Sequence, residues 1–119
     1  MGYATADLLA RVEEAVDRTI QMAMALPSNV AGAVIGRQIV RSSGSVGANI
    51  EEAQPVITRK DYTNRISLSL REARETLYWM RRIENNKLLS ATRLGSLKTE
   101  WNALVAILTA TQKNLRRRK

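Results

Sequence analysis

The sequence predicts an all-α, up-down-up-down antiparallel bundle of four helices. Three observations carry that prediction. Hydrophobic residues make up 45% of the 119 positions, yet aromatics only 4% and Phe is absent. The core must therefore come from Leu, Ile, Val, Met and Ala, a set that favours helix over sheet. Apolar residues recur at three- and four-residue steps over four separate stretches. The only two prolines, Pro27 and Pro55, fall between those stretches. At this length the chain is one domain, residues 1–119.

The first helix is expected over about 5–26. Leu8, Val12, Ala15, Thr19, Ala23 and Leu26 form its stripe, widened by Val16 and Met22. Asp7–Arg11 and Glu14–Arg18 are spaced as i,i+4 pairs on its outer side. Pro27 stops it by pushing Leu26 out of helical geometry. Ser28 or Asn29 can cap a second helix over about 29–54 by accepting a bond from a free N–H of its first turn.

Ile35, Ile39, Val46, Ile50 and Ala53 share one face of that second helix, within about 60° at ~100° per residue. Ser42 and Ser43 fill a gap in the face. Gly36, Gly44 and Gly47 inside a helix each cost up to ~1 kcal/mol relative to Ala. Gly36, Ser43 and Gly47 share one side, near Val40. Two readings stand: small residues that admit a closely packed backbone, from this subunit or another, or a helix that is weak or kinked mid-length. Asn49, at the edge of the apolar face, is expected to be structural, an amide that fixes register or bonds a neighbouring carbonyl.

Thr58 to Asp61 resembles a capping box and opens a third helix over about 59–85. Tyr62, Ile66, Leu70, Ala73, Leu77 and Met80 make its main stripe. Leu68, Trp79 and Ile83 are expected nearly opposite, as an outer apolar patch serving an oligomer interface. Between the stripes lies a basic ridge, Arg71, Arg74, Arg81 and Arg82, with Tyr78 within it. Asn85-Asn86 breaks the helix. The fourth is expected over about 91–115, with Leu94, Leu97, Trp101, Leu104, Leu108 and Leu115 inward. A basic tail, Arg116, Arg117, Arg118 and Lys119, is expected to fray.

The formal net charge of +8 is unevenly placed. Residues 1–54 hold four basic and six acidic side chains, a net −2, whereas residues 55–119 hold fifteen and five, a net +10. Such asymmetry points to a polyanionic partner. The candidate nucleic-acid contacts are Arg71, Arg74, Arg81, Arg82 and the tail, because a guanidinium donates two parallel bonds to phosphate. The rival is pairing of these arginines with Glu75, Glu84 or the acids of helix one in another copy. A third class is a protein-binding adaptor that uses Leu68, Trp79 and Ile83.

Enzyme chemistry finds little footing. There is no His and no Cys, which removes the commonest general base, metal ligand and thiolate nucleophile. Glu51, Glu52 and Asn49 are neighbours, but a di-metal carboxylate bundle also needs Glu-x-x-His pairs. No turn presents a Ser to a base. The expectation is a non-enzymatic protein with no cofactor and no metal. No apolar run reaches the ~18 residues of a membrane span, and the lack of Cys fits a reducing cytoplasm.

The stretch from Arg41 to Ala53, RSSGSVGANIEEA, resembles the four-helix-bundle family encoded by intervening sequences in bacterial 23S ribosomal RNA genes. Its most specific word is Ser43 with Asn49-Ile50-x-Glu52; Gly47 stands where that family usually has Pro. Asp61, Tyr62, Ile66, Arg71, Glu75 and Trp79 are similar to its third helix. The resemblance spans about Asp7 to Leu108. A related branch comprises the accessory variability determinant proteins of diversity-generating retroelements. The resemblance implies a homo-oligomer, a ring of five bundles, with a basic surface that engages a reverse transcriptase and its template RNA. The intervening-sequence branch likewise implies pentamers, with the alternative of a scaffold or protein-binding adaptor without direct nucleic-acid contact.

Overall fold

In the computed structural model, which describes residues 5–55 and 58–117, the chain forms α1 (Thr5–Met24), α2 (Val30–Ala53), α3 (Arg59–Asn85) and α4 (Ala91–Arg117). Each packs lengthwise on the next, and α4 returns beside α1, so α1 and α3 face each other across a diagonal. The bundle measures 47 × 19 × 19 Å.

Local chemistry sets each break. After α1 the Ala25 and Leu26 N–H groups bond the Met22 and Ala23 carbonyls at 3.0 and 3.1 Å, a tightened last turn before Pro27. Asn29, not Ser28, caps α2, its side chain accepting from the Gly32 N–H at 2.8 Å. The chain doubles back so closely that a Cβ on Gly32 would lie 2.0 Å from the Pro27 carbonyl oxygen. Thr58 caps α3 by accepting from the Asp61 N–H at 3.1 Å. That helix ends with Lys87 in the left-handed region, φ 55°. The Leu88 N–H bonds the Ile83 carbonyl at 3.0 Å and the Lys87 N–H bonds that of Glu84 at 3.1 Å, a Schellman ending normally built on Gly. Ser90 Oγ accepts from the Arg93 N–H at 3.2 Å and opens α4. This helix continues through Arg117, so Arg116 and Arg117 are helical rather than frayed. Arg118 and Lys119 lie outside the described residues.

All four stripes converge on one core, in which Ile39, Ile50, Ile66, Met80, Trp101 and Leu104 are fully buried. Ile83 belongs there too, at 0% exposure. The sequence expectation placed it on the outer patch. In fact Ser69, Thr76 and Ile83, seven residues apart, form a row that turns toward α2 and is buried along its length. That row explains the serine-rich second helix. Ser42 Oγ lies 2.9 Å from Thr76 Oγ1, Thr76 donates to the Glu72 carbonyl at 2.9 Å, and Ser69 donates to the Val46 carbonyl of α2 at 2.9 Å. Small hydroxylated side chains thus bring α2 and α3 together while every buried hydroxyl in the row has a partner.

The glycines of α2 do something plainer than expected. Gly36 faces Leu26, just after α1, and Gly47 faces Val12 and Val16 of α1, at distances a methyl group would tolerate, and Gly44 faces open space. The position that cannot accept a side chain is Gly32.

Three side-chain contacts tie α1 to α4. Arg11 makes a bidentate pair with Glu100 at 2.7 and 2.9 Å, and Arg18 bonds Ser96 at 2.6 Å. Neither arginine pairs with the glutamate or aspartate one turn away on its own helix; both reach across to α4. Arg11's hydrogen bonds hold the Glu100 carboxyl below its ordinary range, against a smaller opposing effect of burial, and raise Arg11 in turn. Inside this edge the Trp101 indole N–H donates to Thr19 Oγ1 at 2.9 Å.

Candidate nucleic-acid interface

The outward side of α3 carries a stripe at three- and four-residue steps: Arg71, Arg74, Tyr78 and Arg81 are exposed, and Arg82 is half-buried beside them. Lys60 and Asn64 extend it toward the start of the helix and are exposed as well. From Lys60 to Arg81 it runs about 32 Å at ~1.5 Å per residue.

What surrounds the stripe decides its electrostatics. Glu72, Glu75 and Glu84 lie on α3 within reach of the ridge arginines, and any of them could have neutralised it. All three are bound elsewhere. Arg41 of α2 pairs with Glu72 at 3.2 Å and also with Glu75, and Lys98 of α4 pairs with Glu84 at 2.7 Å. The expected pairing of the ridge with Glu75 or Glu84 within the subunit is therefore not what the fold uses. Arg71, Arg74 and Arg81 have no ion pair or side-chain hydrogen bond among the described residues.

Arg82 behaves differently. Its guanidinium carbon lies 5.2 Å from the centroid of the Tyr78 ring, a cation–π contact, and its Nε is buried without a hydrogen-bond partner. The Tyr78 ring meets Trp79 edge to face, with centroids 4.9 Å apart and planes at 78°. Trp79 is not a free outer anchor. It is half-buried against the core, and its indole N–H donates to Glu75 at 3.0 Å. Leu68 is half-buried. With Ile83 in the core, the expected three-residue patch reduces to Leu68 and Trp79.

Of the tail, Arg116 and Arg117 are placed by the packing of α4 on α3. Gln112 bonds Ser67 at 2.9 Å and Lys98 pairs with Glu84, which sets the antiparallel register of α4 on α3. By that register Arg116 and Arg117 sit level with the first turns of α3, about 12 Å along the axis from Arg71 at ~1.5 Å per residue. Both are exposed, and by the same register they fall within about one helical turn, along the axis, of the level of Arg59 and Lys60.

Asn49 is half-buried. Its amide donates to the Ser45 carbonyl at 2.9 Å and accepts from Arg65 of α3 at 3.1 Å. Arg65 also pairs with Glu52 at 3.4 Å, so the family-like Asn49-Ile50-x-Glu52 word is a clasp between α2 and α3. Glu51 is exposed and takes no part.

An exposed apolar surface lies where it was not foreseen. Met24 is 67% and Val30 81% exposed, flanking an open groove between the end of α1 and the start of α2, lined by Ile20, Ala33, Gly36 and Val40. The available signal was that Met24 and Val30 fall off the stripes of their helices. On α1, across the diagonal from α3, Asp7, Glu13, Glu14 and Asp17 are exposed. The charge asymmetry of the two chain halves is thus an asymmetry across the width of the bundle. Among the described residues no group of three or more His, Cys, Asp or Glu could hold a metal ion, and no helix is long and apolar enough to cross a membrane.

Comparison with curated proteins finds no match. Among solved structures the chain is similar to a protein of unknown function from the S23 ribosomal protein family of Bacteroides thetaiotaomicron. The TM-score is 0.83 at 26% identity, over 89% of this chain and 98% of that one. A family model described as 23S rRNA-intervening sequence protein matches residues 6–110, which takes in all of α2 and α3 and most of α1 and α4. With the four-helix order, the α2–α3 clasp and that match in agreement, the chain belongs to the family of 23S rRNA-intervening sequence proteins.

Proposed function

We propose that this protein is a non-catalytic helical bundle that binds nucleic acid, RNA foremost, along the outward stripe of α3. Arg71, Arg74 and Arg81 contact phosphates, Arg82 flanks them, and Arg116 and Arg117 extend the basic surface. One observation carries the reading: the acids that could neutralise the ridge are held by Arg41 and Lys98. Three guanidinium groups are left facing solvent with no ion pair of their own among the described residues. An anion with regularly spaced phosphates matches that pattern, and contact through the backbone is sequence-tolerant.

The resemblance carried by α2 and α3 extends the proposal to a homo-oligomer and to a reverse transcriptase as a protein partner. The groove flanked by Met24 and Val30 supports self-association, since a second copy would remove its apolar surface from water. Sedimentation of the isolated protein tests that part; a monomer at all concentrations counts against it.

The binding part is tested by fluorescence anisotropy with labelled RNA across a salt series. Wild type should lose affinity steeply as salt rises. Replacing Arg71, Arg74 and Arg81 by Gln should weaken binding and reduce the logarithmic salt slope by about two, at roughly 0.7 per phosphate contact on a single strand. An unchanged slope in that variant refutes the assignment to the ridge.

A further inference from the structure

We infer that Tyr78 is a stacking platform that makes the ridge select single-stranded nucleic acid, with unpaired bases, over duplex. The inference rests on the proposed function and adds the class of partner. Among the described residues Tyr78 is the one aromatic that faces solvent, 43% exposed; Tyr62 and Trp101 are buried and Trp79 is half-buried. It lies at the centre of the free guanidinium groups, one turn after Arg74 and one turn before Arg81 and Arg82.

The ring is also held in place. Arg82 covers it at 5.2 Å, and Trp79 contacts it edge to face at 4.9 Å. Trp79 is fixed by Glu75, and Glu75 by Arg41 of α2. A chain of contacts running into the neighbouring helix thus restrains an exposed side chain. A restrained ring gives up little rotamer freedom when a base stacks on it. Duplex gains nothing from such a ring, because its bases are already stacked and it offers the ridge phosphates alone. A single strand offers both groups, in the alternation of π face and charge found here. The shared chemistry is an unpaired base between phosphates, which RNA and single-stranded DNA both supply.

The test uses the full chain and three labelled probes at one salt concentration: oligo-uridine, oligo-thymidine and a duplex RNA of equal length. Tyr78→Ala should weaken binding to the single strands at least about fivefold, the lower bound for loss of one stacked base, and change duplex binding less than twofold. Tyr78→Phe should bind as wild type. Should Tyr78→Ala lower the melting temperature, Tyr78→Leu, which keeps apolar volume without an aromatic face, takes its place. A loss on one of the two single strands assigns the platform to that source. Equal effects on single strand and duplex, or no effect, overturn the inference while leaving the ridge reading intact. No binding of wild type to any probe overturns both.

Discussion

Replacing Thr19 by Val removes one oxygen from the interior and leaves the shape almost unchanged. Thr19 is fully buried; its hydroxyl donates to the Ala15 carbonyl at 2.7 Å and accepts from the Trp101 indole at 2.9 Å. The Ala15 carbonyl keeps its helical bond to the residue-19 N–H, so its loss is small. Trp101, at 0% exposure, has no other acceptor and cannot reach water. An unsatisfied buried donor costs about 1–3 kcal/mol. Unfolding entropy near ~2.1 cal/mol/K per residue, over 119 residues, makes ~2 kcal/mol equivalent to about 8 °C in melting temperature. Circular dichroism melts and urea titrations measure this, and the urea slope should stay constant while the midpoint falls. Trp101→Phe supplies the control. In that background Thr19→Val should cost less, by a coupling of roughly 1–2 kcal/mol. A Thr19→Val variant within about 0.5 kcal/mol of wild type, or one equally costly in both backgrounds, refutes the role assigned to this hydrogen bond.

The remaining predictions concern the ends and edges of the helices. Arg11 holds Glu100 ionised in the folded state with a lowered pKa, so the pair's stabilisation is present above the ordinary carboxylate range and lost as pH falls through the folded value. Melting of wild type and Glu100→Gln should therefore differ at pH ~7 and converge in acid, below the carboxylate range near ~4; a gap that persists there refutes the pairing. Lys87→Gly relieves a side chain from the left-handed region at φ 55°. It should stabilise by about 1 kcal/mol, read as a rise in urea midpoint. Gly32→Ala places a methyl 2.0 Å from a backbone oxygen and should cost ~3 kcal/mol or more. Gly44→Ala, with nothing within 4 Å, should instead gain up to ~1 kcal/mol, measured in the same melts.

The fold was legible because its breaks rest on local chemistry: Pro27, the cap at Asn29, the cap at Thr58 and the Asn85-Asn86 pair all act within a few residues. Ile83 shows where a helical wheel fails. The inward face of α3 is wider than its apolar stripe, because Ser69 and Thr76 are buried hydroxyls that no hydrophobic pattern scores. Ile83 follows them into the core. The ridge could be read because it lies on one helix at one spacing. Its freedom from neutralising acids could not, since that depends on Arg41 and Lys98 arriving from other helices in a particular register. Arg11 and Arg18 show the same limit, as intrahelical spacing offered partners that the tertiary fold replaced with Glu100 and Ser96. Met24 and Val30 carry little signal in the sequence because single exposed apolar residues are ordinary on any surface; only the groove between them sets this pair apart.

The unequal edges of the bundle have a consequence for how it breathes. Shared hydroxyls and core side chains interleave α2 with α3, whereas α1 approaches α4 less closely, through Arg11–Glu100 and Arg18–Ser96 near the surface and the buried Thr19–Trp101 bond within. Opening the second edge breaks a few directional bonds, and water can replace the outer ones at once. Opening the first would break the bonds that Ser42, Thr76 and Ser69 make across a buried seam. Amide exchange should therefore be slowest along the facing turns of α2 and α3 and fastest in α1, with α4 between. By that ordering α1 is the detachable leaf of the structure, and α3, which carries the ridge, belongs to its most persistent pair.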